Sequence, residues 1–211
     1  MQHIVALSRV AVVVRHWFEI NLDDASMEHG ARIELRELAV HPHRGSESAA
    51  QQVTADRPWW RADLFDRLAD RPGSFGAAHY HPEFSGNEPS ARVWDPKLTA
   101  SPWEWLGDQL TGLGAGPGQT SWPGQTSWPG QTSWPGQTSW PLQPSDAAEL
   151  AGLAASIVTL ARQFSPDRCG SAVECFELTR DAGESVRLMI SYLRRPDLLD
   201  ADWVRPWTAA A

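Results

Sequence analysis

Apolar and polar positions alternate in part over residues 10–21, where Val14, His16, Phe18 and Ile20 share one side and Arg15, Trp17, Glu19 and Asn21 the other. A clearer alternation over residues 31–40 sets Ile33 and Leu35 against Arg32, Glu34 and Arg36. A period of two marks a strand with one face toward a core. The stretch from Asp23 to Gly30 between them reads as a loop. Two antiparallel strands with one solvated face are therefore expected.

The period then changes. Asp56 is a capping residue followed by Pro58, and Trp60, Leu64, Phe65 and Leu68 recur at helical spacing up to the break at Pro72-Gly73. This predicts a first helix, with Asp63 and Arg67 one turn apart. Residues 75–81 read as a strand, with 91–94 as its partner across a loop. Ser101-Pro102-Trp103-Glu104 is a capping box that predicts a short helix carrying Leu106 and Leu110. Asp146 and Glu149 form another box, ahead of a stripe of Leu150, Leu153, Ile157, Leu160 and Phe164 that ends at Ser165-Pro166. Residues 172–194 fit a hairpin or a second helix, with a slight lean to the hairpin.

Together these elements predict an α+β fold, an antiparallel sheet packed by a few helices. Residues 1–112 supply the sheet and first helices. Residues 113–144 form a linker, and 145–211 complete the same domain. The linker contains four identical copies of Pro-Gly-Gln-Thr-Ser-Trp over residues 117–140. That unit has no charge and one apolar side chain, so it cannot build a core and is expected to be flexible. Its identical copies fit a recent duplication in a tolerant surface loop. In a polyproline II conformation the four Trp would instead fall on one edge, a multivalent ligand for another protein.

The net charge of −8 is spread over both halves, with 11 basic and 16 acidic groups in 1–112 and 7 and 10 in 146–211. No basic footprint for nucleic acid is visible. Seventeen of 18 basic residues are Arg, which fits the codon usage of a GC-rich bacterial genome. The apolar stretch at 4–14 is too short to span a bilayer, so no membrane association and a cytoplasmic location are expected. In that compartment Cys169 and Cys175 are expected to be reduced structural thiols, the alternatives being a disulfide or shared metal ligation.

The chemistry concentrates at His79-Tyr80-His81-Pro82-Glu83. Two histidines two apart on an extended segment point to one face, the smallest arrangement that chelates a divalent transition metal or shares a proton-transfer task. His79, His81 and Glu83 are the expected ligands, with Glu88 and Asp63 also available. A second pair, His41 and His43, follows the second predicted strand and would strengthen the site if the two pairs met. Arg57, Trp59, Arg61 and Asp63 form a separate candidate binding cluster, in which an Arg would clamp a carboxylate or phosphate. Asp95 reads as a turn opener.

Residues 73–81 resemble the first motif of cupins, a Gly separated by five residues from His-x-His. The resemblance implies a small β-barrel with a metal held by His79 and His81. It covers under a tenth of the chain. The pattern departs after His81: Glu83 is too near, Glu88 too far, Pro82 interrupts, and no later His supplies a second motif. The family is not assigned on this basis.

No nucleophile elbow, P-loop, dinucleotide fingerprint or His-Glu-x-x-His motif is present. The first functional expectation is a binding or structural module without catalysis of its own, with a protein partner engaged through the Trp repeat. The second is a metal-binding protein or metal-dependent enzyme built on the His-x-His site.

Overall fold

The computed structural model describes residues 2–20, 26–41, 52–68, 72–115, 142, 144–171 and 175. The Trp repeat, His43 and all of 172–194 but Cys175 lie outside the described residues.

Five strands form an antiparallel meander in chain order: β1 (Gln2–Ala6), β2 (Val10–Ile20), β3 (Met27–Val40), β4 (Val53–Arg67) and β5 (His79–His81). Two short strands, β6 (Phe84–Ser85) and β7 (Glu88–Pro89), make a separate hairpin. The helices are α1 (Pro96–Ala100), α2 (Pro102–Ala115) and α3 (Pro144–Arg162), followed by a 3-10 turn at Pro166–Arg168. The fold is α+β. Among the described residues β1 and β5 are the two ends of the sheet, not neighbours in a barrel of the cupin kind.

The two strands predicted at 10–21 and 31–40 pair antiparallel, from Val10 opposite Glu37 to Ile20 opposite Met27, and β3 starts at Met27, inside the stretch expected to be a loop. The predicted first helix is instead β4, the longest strand. Trp60, Leu64 and Leu68 are four apart, and a spacing of four satisfies a helix and a strand alike. The residues between them decide the matter. Trp60, Ala62 and Leu64 join the core cluster, while Arg61 and Asp63 face the other way, so the true period is two. Pro58 is accommodated where the β3–β4 register shifts, between Leu35 and Leu38, a bulge being one of the few places a sheet tolerates proline.

Residues 75–81 are strand only at their end. Phe75 takes φ 51°, and Asp66 holds the turn by accepting hydrogen bonds from Gly73 N and Ser74 N and from the Ser74 hydroxyl. Tyr80 does meet the 91–94 segment, through paired backbone hydrogen bonds with Val93.

The helices cover one face of the sheet. Val12, Val14, Ala31, Ile33, Leu35, Trp60, Ala62 and Leu64 pack there against Leu106, Leu110, Leu150 and Ile157. Trp105 of α2 stacks on Trp60 at 6.3 Å and lies 5.2 Å from the Tyr80 ring. Its indole N–H donates to Asp95, whose other oxygen accepts from Lys97 N, so Asp95 is the N-cap of α1. α3 begins two residues before Asp146. Asp146 does not cap it but is buried, accepting from the backbone N–H and hydroxyl of Ser8 in the β1–β2 turn. No described helix is long and apolar enough to cross a membrane.

Cys169 and Cys175 form a disulfide closing a short loop after α3, in place of the expected reduced pair.

Candidate metal centre

The face of the sheet away from the helices carries polar side chains in transverse rows. Strand pairing aligns Gln2, Arg15, Arg32, Asp63 and His79 in one row. The next row is Ile4, Val13, Glu34, Arg61 and His81. Residues i and i+2 of a strand share a face, so each of β4 and β5 contributes two neighbouring side chains to one patch. Asp63 is directly opposite His79, and Arg61 opposite His81. Tyr80, between the histidines, turns to the core on the other face.

Asp63 is fully buried, with His79 and His81 nearly so. Arg32 Nε donates to Asp63 Oδ1 at 2.5 Å. Asp63 Oδ2 accepts no hydrogen bond, although Arg61 Nε lies 3.1 Å away; the contact is an ion pair whose N–H is not aimed at the oxygen. Into the same space point His79 Nε2, 3.4 Å from Oδ2, and His81 Nε2, 3.8 Å from it.

The tautomers follow from the other ring nitrogens. His79 Nδ1 donates to the Ala77 carbonyl at 2.8 Å and His81 Nδ1 to the Ser90 carbonyl at 2.6 Å. A carbonyl only accepts, so both protons sit on Nδ1 and both Nε2 atoms carry lone pairs. Burial, the largest influence, lowers the pKa of both imidazoles, against the raising effect of those carbonyls and of Asp63. Both rings are therefore neutral near pH 7. Burial also lowers the Arg61 pKa, with Asp63 opposing it.

Three lone-pair atoms thus converge, all within 4.8 Å of one another. Lone pairs facing each other repel unless a cation lies among them. Arg61 supplies part of that charge, its Nη2 donating to His81 Nε2 at 3.0 Å while its guanidinium rests over Phe84. A divalent metal would supply it directly. Ligand atoms of a tetrahedral site with bonds near 2.1 Å lie about 3.4 Å apart. The Asp63–His79 distance of 3.4 Å fits this, and the His81 distance of 3.8 Å is a few tenths wide. Nδ1–H donation to a backbone carbonyl is the usual outer support of a metal-bound imidazole.

The other sequence candidates fall elsewhere. Glu83 is exposed, and Glu88 lies on the outer hairpin; neither is in the cluster. His41 is exposed beyond the end of β3, with Nε2 2.7 Å from the Thr54 hydroxyl. It is nine residues along from Arg32, roughly 30 Å at strand rise, so it does not meet His79 and His81. Arg57 is exposed, pairing with Glu37 at 3.3 Å and resting over Trp59, which is part-buried. Of that predicted binding cluster, Arg61 and Asp63 join the histidines, while Arg57 and Trp59 lie further along β4. Beyond Glu34 the same face opens into a polar depression of about 290 Å³, lined by Gln2, Val13, Arg15, Glu34, Arg36 and Ala55.

The third ligand beside His79 and His81 is therefore Asp63, which the sequence offers as available, and not the expected Glu83. The signal for Asp63 was present: Arg61 and Asp63 alternate with Trp60, Ala62 and Leu64. It is legible only once β4 is read as a strand. No protein-family model, curated protein sequence or solved structure matches the chain.

Proposed function

We propose that the protein binds one divalent transition metal ion through Asp63 Oδ2, His79 Nε2 and His81 Nε2. Two imidazoles and one carboxylate suit Fe2+, Zn2+ or Mn2+, and three protein ligands leave further coordination positions for water or substrate. The supporting observation is the convergence of three lone-pair atoms, one of them a buried carboxylate oxygen that accepts no hydrogen bond. Metal entry requires Arg61 to swing away from His81, exchanging one cation for another. With open positions the ion would act as a Lewis acid on a bound oxygen ligand. Calorimetric titration of metal-stripped protein with Zn2+, Mn2+ and, without oxygen, Fe2+ tests the proposal. Asp63→Asn and the double variant His79→Ala, His81→Ala should abolish the binding heat while remaining folded.

A second reading follows from the Arg61 contact. With Arg61 in place the cluster is a metal-free polar network that fixes β5 to β4, and the protein is the binding or structural module that its sequence first suggests. Arg61→Ala separates the two. It should tighten metal binding if Arg61 competes with the ion, and should only lower stability if the network is structural.

A further inference from the structure

A second group of metal-ligating side chains lies on the opposite face of the sheet. His29 of β3 is fully buried, as is Cys175, and Cys169 retains 8 % of its surface. One ligand atom from each lies within 4.8 Å of the others. His29 Nε2 donates to the Phe164 carbonyl at 2.8 Å, which makes Nδ1 its basic nitrogen. Backbone hydrogen bonds also hold each of the three residues. His29 is held in the β3–β4 ladder, Cys169 N bonds to Pro166 O, and Cys175 N bonds to Ser171 O. A structural disulfide has no use for an imidazole, whereas two thiolates and an imidazole are a soft, nearly complete zinc-type ligand set.

We propose that Cys169, Cys175 and His29 form a redox-gated site for a thiophilic metal ion, closed while the cysteines are joined and opened when they are reduced. The reductant is a dithiol. It gives two electrons and two protons to the protein, the Cys169–Cys175 bond breaks to two thiols, and the dithiol closes its own disulfide. Metal binding then releases both thiol protons. Two sulfurs on one tetrahedral ion lie about 3.8 Å apart, against about 2 Å when bonded. The Cα separation of 5.3 Å leaves that difference to side-chain rotation. The site is independent of Asp63, His79 and His81.

Co2+ is the probe, because thiolate ligation gives a sulfur-to-cobalt charge-transfer band in the near ultraviolet that carboxylate and imidazole ligands do not. Full-length protein is reduced with a water-soluble phosphine, which takes oxygen from water to become its oxide and is removed before Co2+ is added. The band should appear in reduced protein, be missing from oxidised protein, and persist in the His79→Ala, His81→Ala variant. His29→Ala should weaken binding at least about tenfold, the scale on which lost groups around a metal are felt. A reduced protein that keeps its far-ultraviolet circular dichroism yet gives no band overturns the proposal, as does loss of fold on reduction. Unchanged affinity in His29→Ala would remove His29 from the site and overturn the three-ligand assignment.

Discussion

Asp63 and His79 stand opposite each other across the β4–β5 ladder, with His79 Nε2 3.4 Å from a carboxylate oxygen that accepts no hydrogen bond. Both atoms offer lone pairs to the same small space. The pair organises the polar face: Arg32 holds the other carboxylate oxygen, Arg61 leans on the first, and His81 completes the group.

Removing the carboxylate from metal-free protein should be costly. Asp63→Ala leaves Arg32 and Arg61 without their shared anion. Losing one partner of a buried pair costs about 3–5 kcal/mol. The Arg32 side chain is 24 % exposed, so a loss of about 3 kcal/mol is expected, with Asp63→Asn losing less. Urea denaturation measures it, and a loss under about 1 kcal/mol would show that the two guanidinium groups find water instead.

A buried histidine on the helix-covered face makes the fold sensitive to acid. His16 is fully buried, with Nε2 3.0 Å from the Ala161 carbonyl, and burial lowers its pKa from 6.5 to about 4 despite that carbonyl. Between those values the unfolded chain takes up a proton that the folded chain refuses. Stability should thus be full above pH 6.5 and fall as pH drops toward 4, by about 3 kcal/mol in total for this residue. Denaturation midpoints across that range should decline less steeply in His16→Gln. Equal slopes in both proteins would refute the assignment.

Asp95 performs two tasks with its two oxygens, capping α1 and accepting the Trp105 indole N–H. Asp95→Ala should therefore exceed the roughly 1 kcal/mol of a lost cap and approach about 2–3 kcal/mol. Asp95→Asn should recover part of that. Thermal melts of both variants decide it, and a loss no larger than that of an ordinary cap would mean that the indole re-pairs with water.

The fold was readable where one period held alone. Val14, His16 and Phe18 alternate with Arg15 and Glu19, and Ile33 and Leu35 with Arg32, Glu34 and Arg36, and β2 and β3 follow from them. β4 was misread because its largest apolar residues, Trp60, Leu64 and Leu68, fall four apart, and because Asp56 and Pro58 imitate a helix start. That error also hid the site. In a helix, Asp63 would sit a turn from Arg67; in the strand it faces His79 and Arg32. His79 and His81 were recognisable from their spacing. Their third partner was not, since it comes from a strand pairing that local sequence does not encode. His29 and Cys169 were equally out of reach, being 140 residues apart in the chain.

Metal affinity should follow the protonation of the imidazoles. The pKa of His79 and of His81 is lowered chiefly by burial, so both remain neutral below the ordinary value of 6.5. Binding should hold at pH 7 and through 6.5, then weaken as pH falls through the lowered values and protons compete for Nε2. Titrations at stepped pH check this. Weakening centred above pH 7 would place the metal on other groups.

The most direct test is elemental analysis by plasma mass spectrometry of untagged protein. It should be purified without chelator, with the Cys169–Cys175 disulfide intact, beside the His79→Ala, His81→Ala variant. The account predicts a near-stoichiometric transition metal in the wild type and none in the folded variant. No metal in either after loading with Fe2+, Zn2+ or Mn2+, or equal metal in both, would contradict it and leave Arg61 as the permanent counter-ion of Asp63.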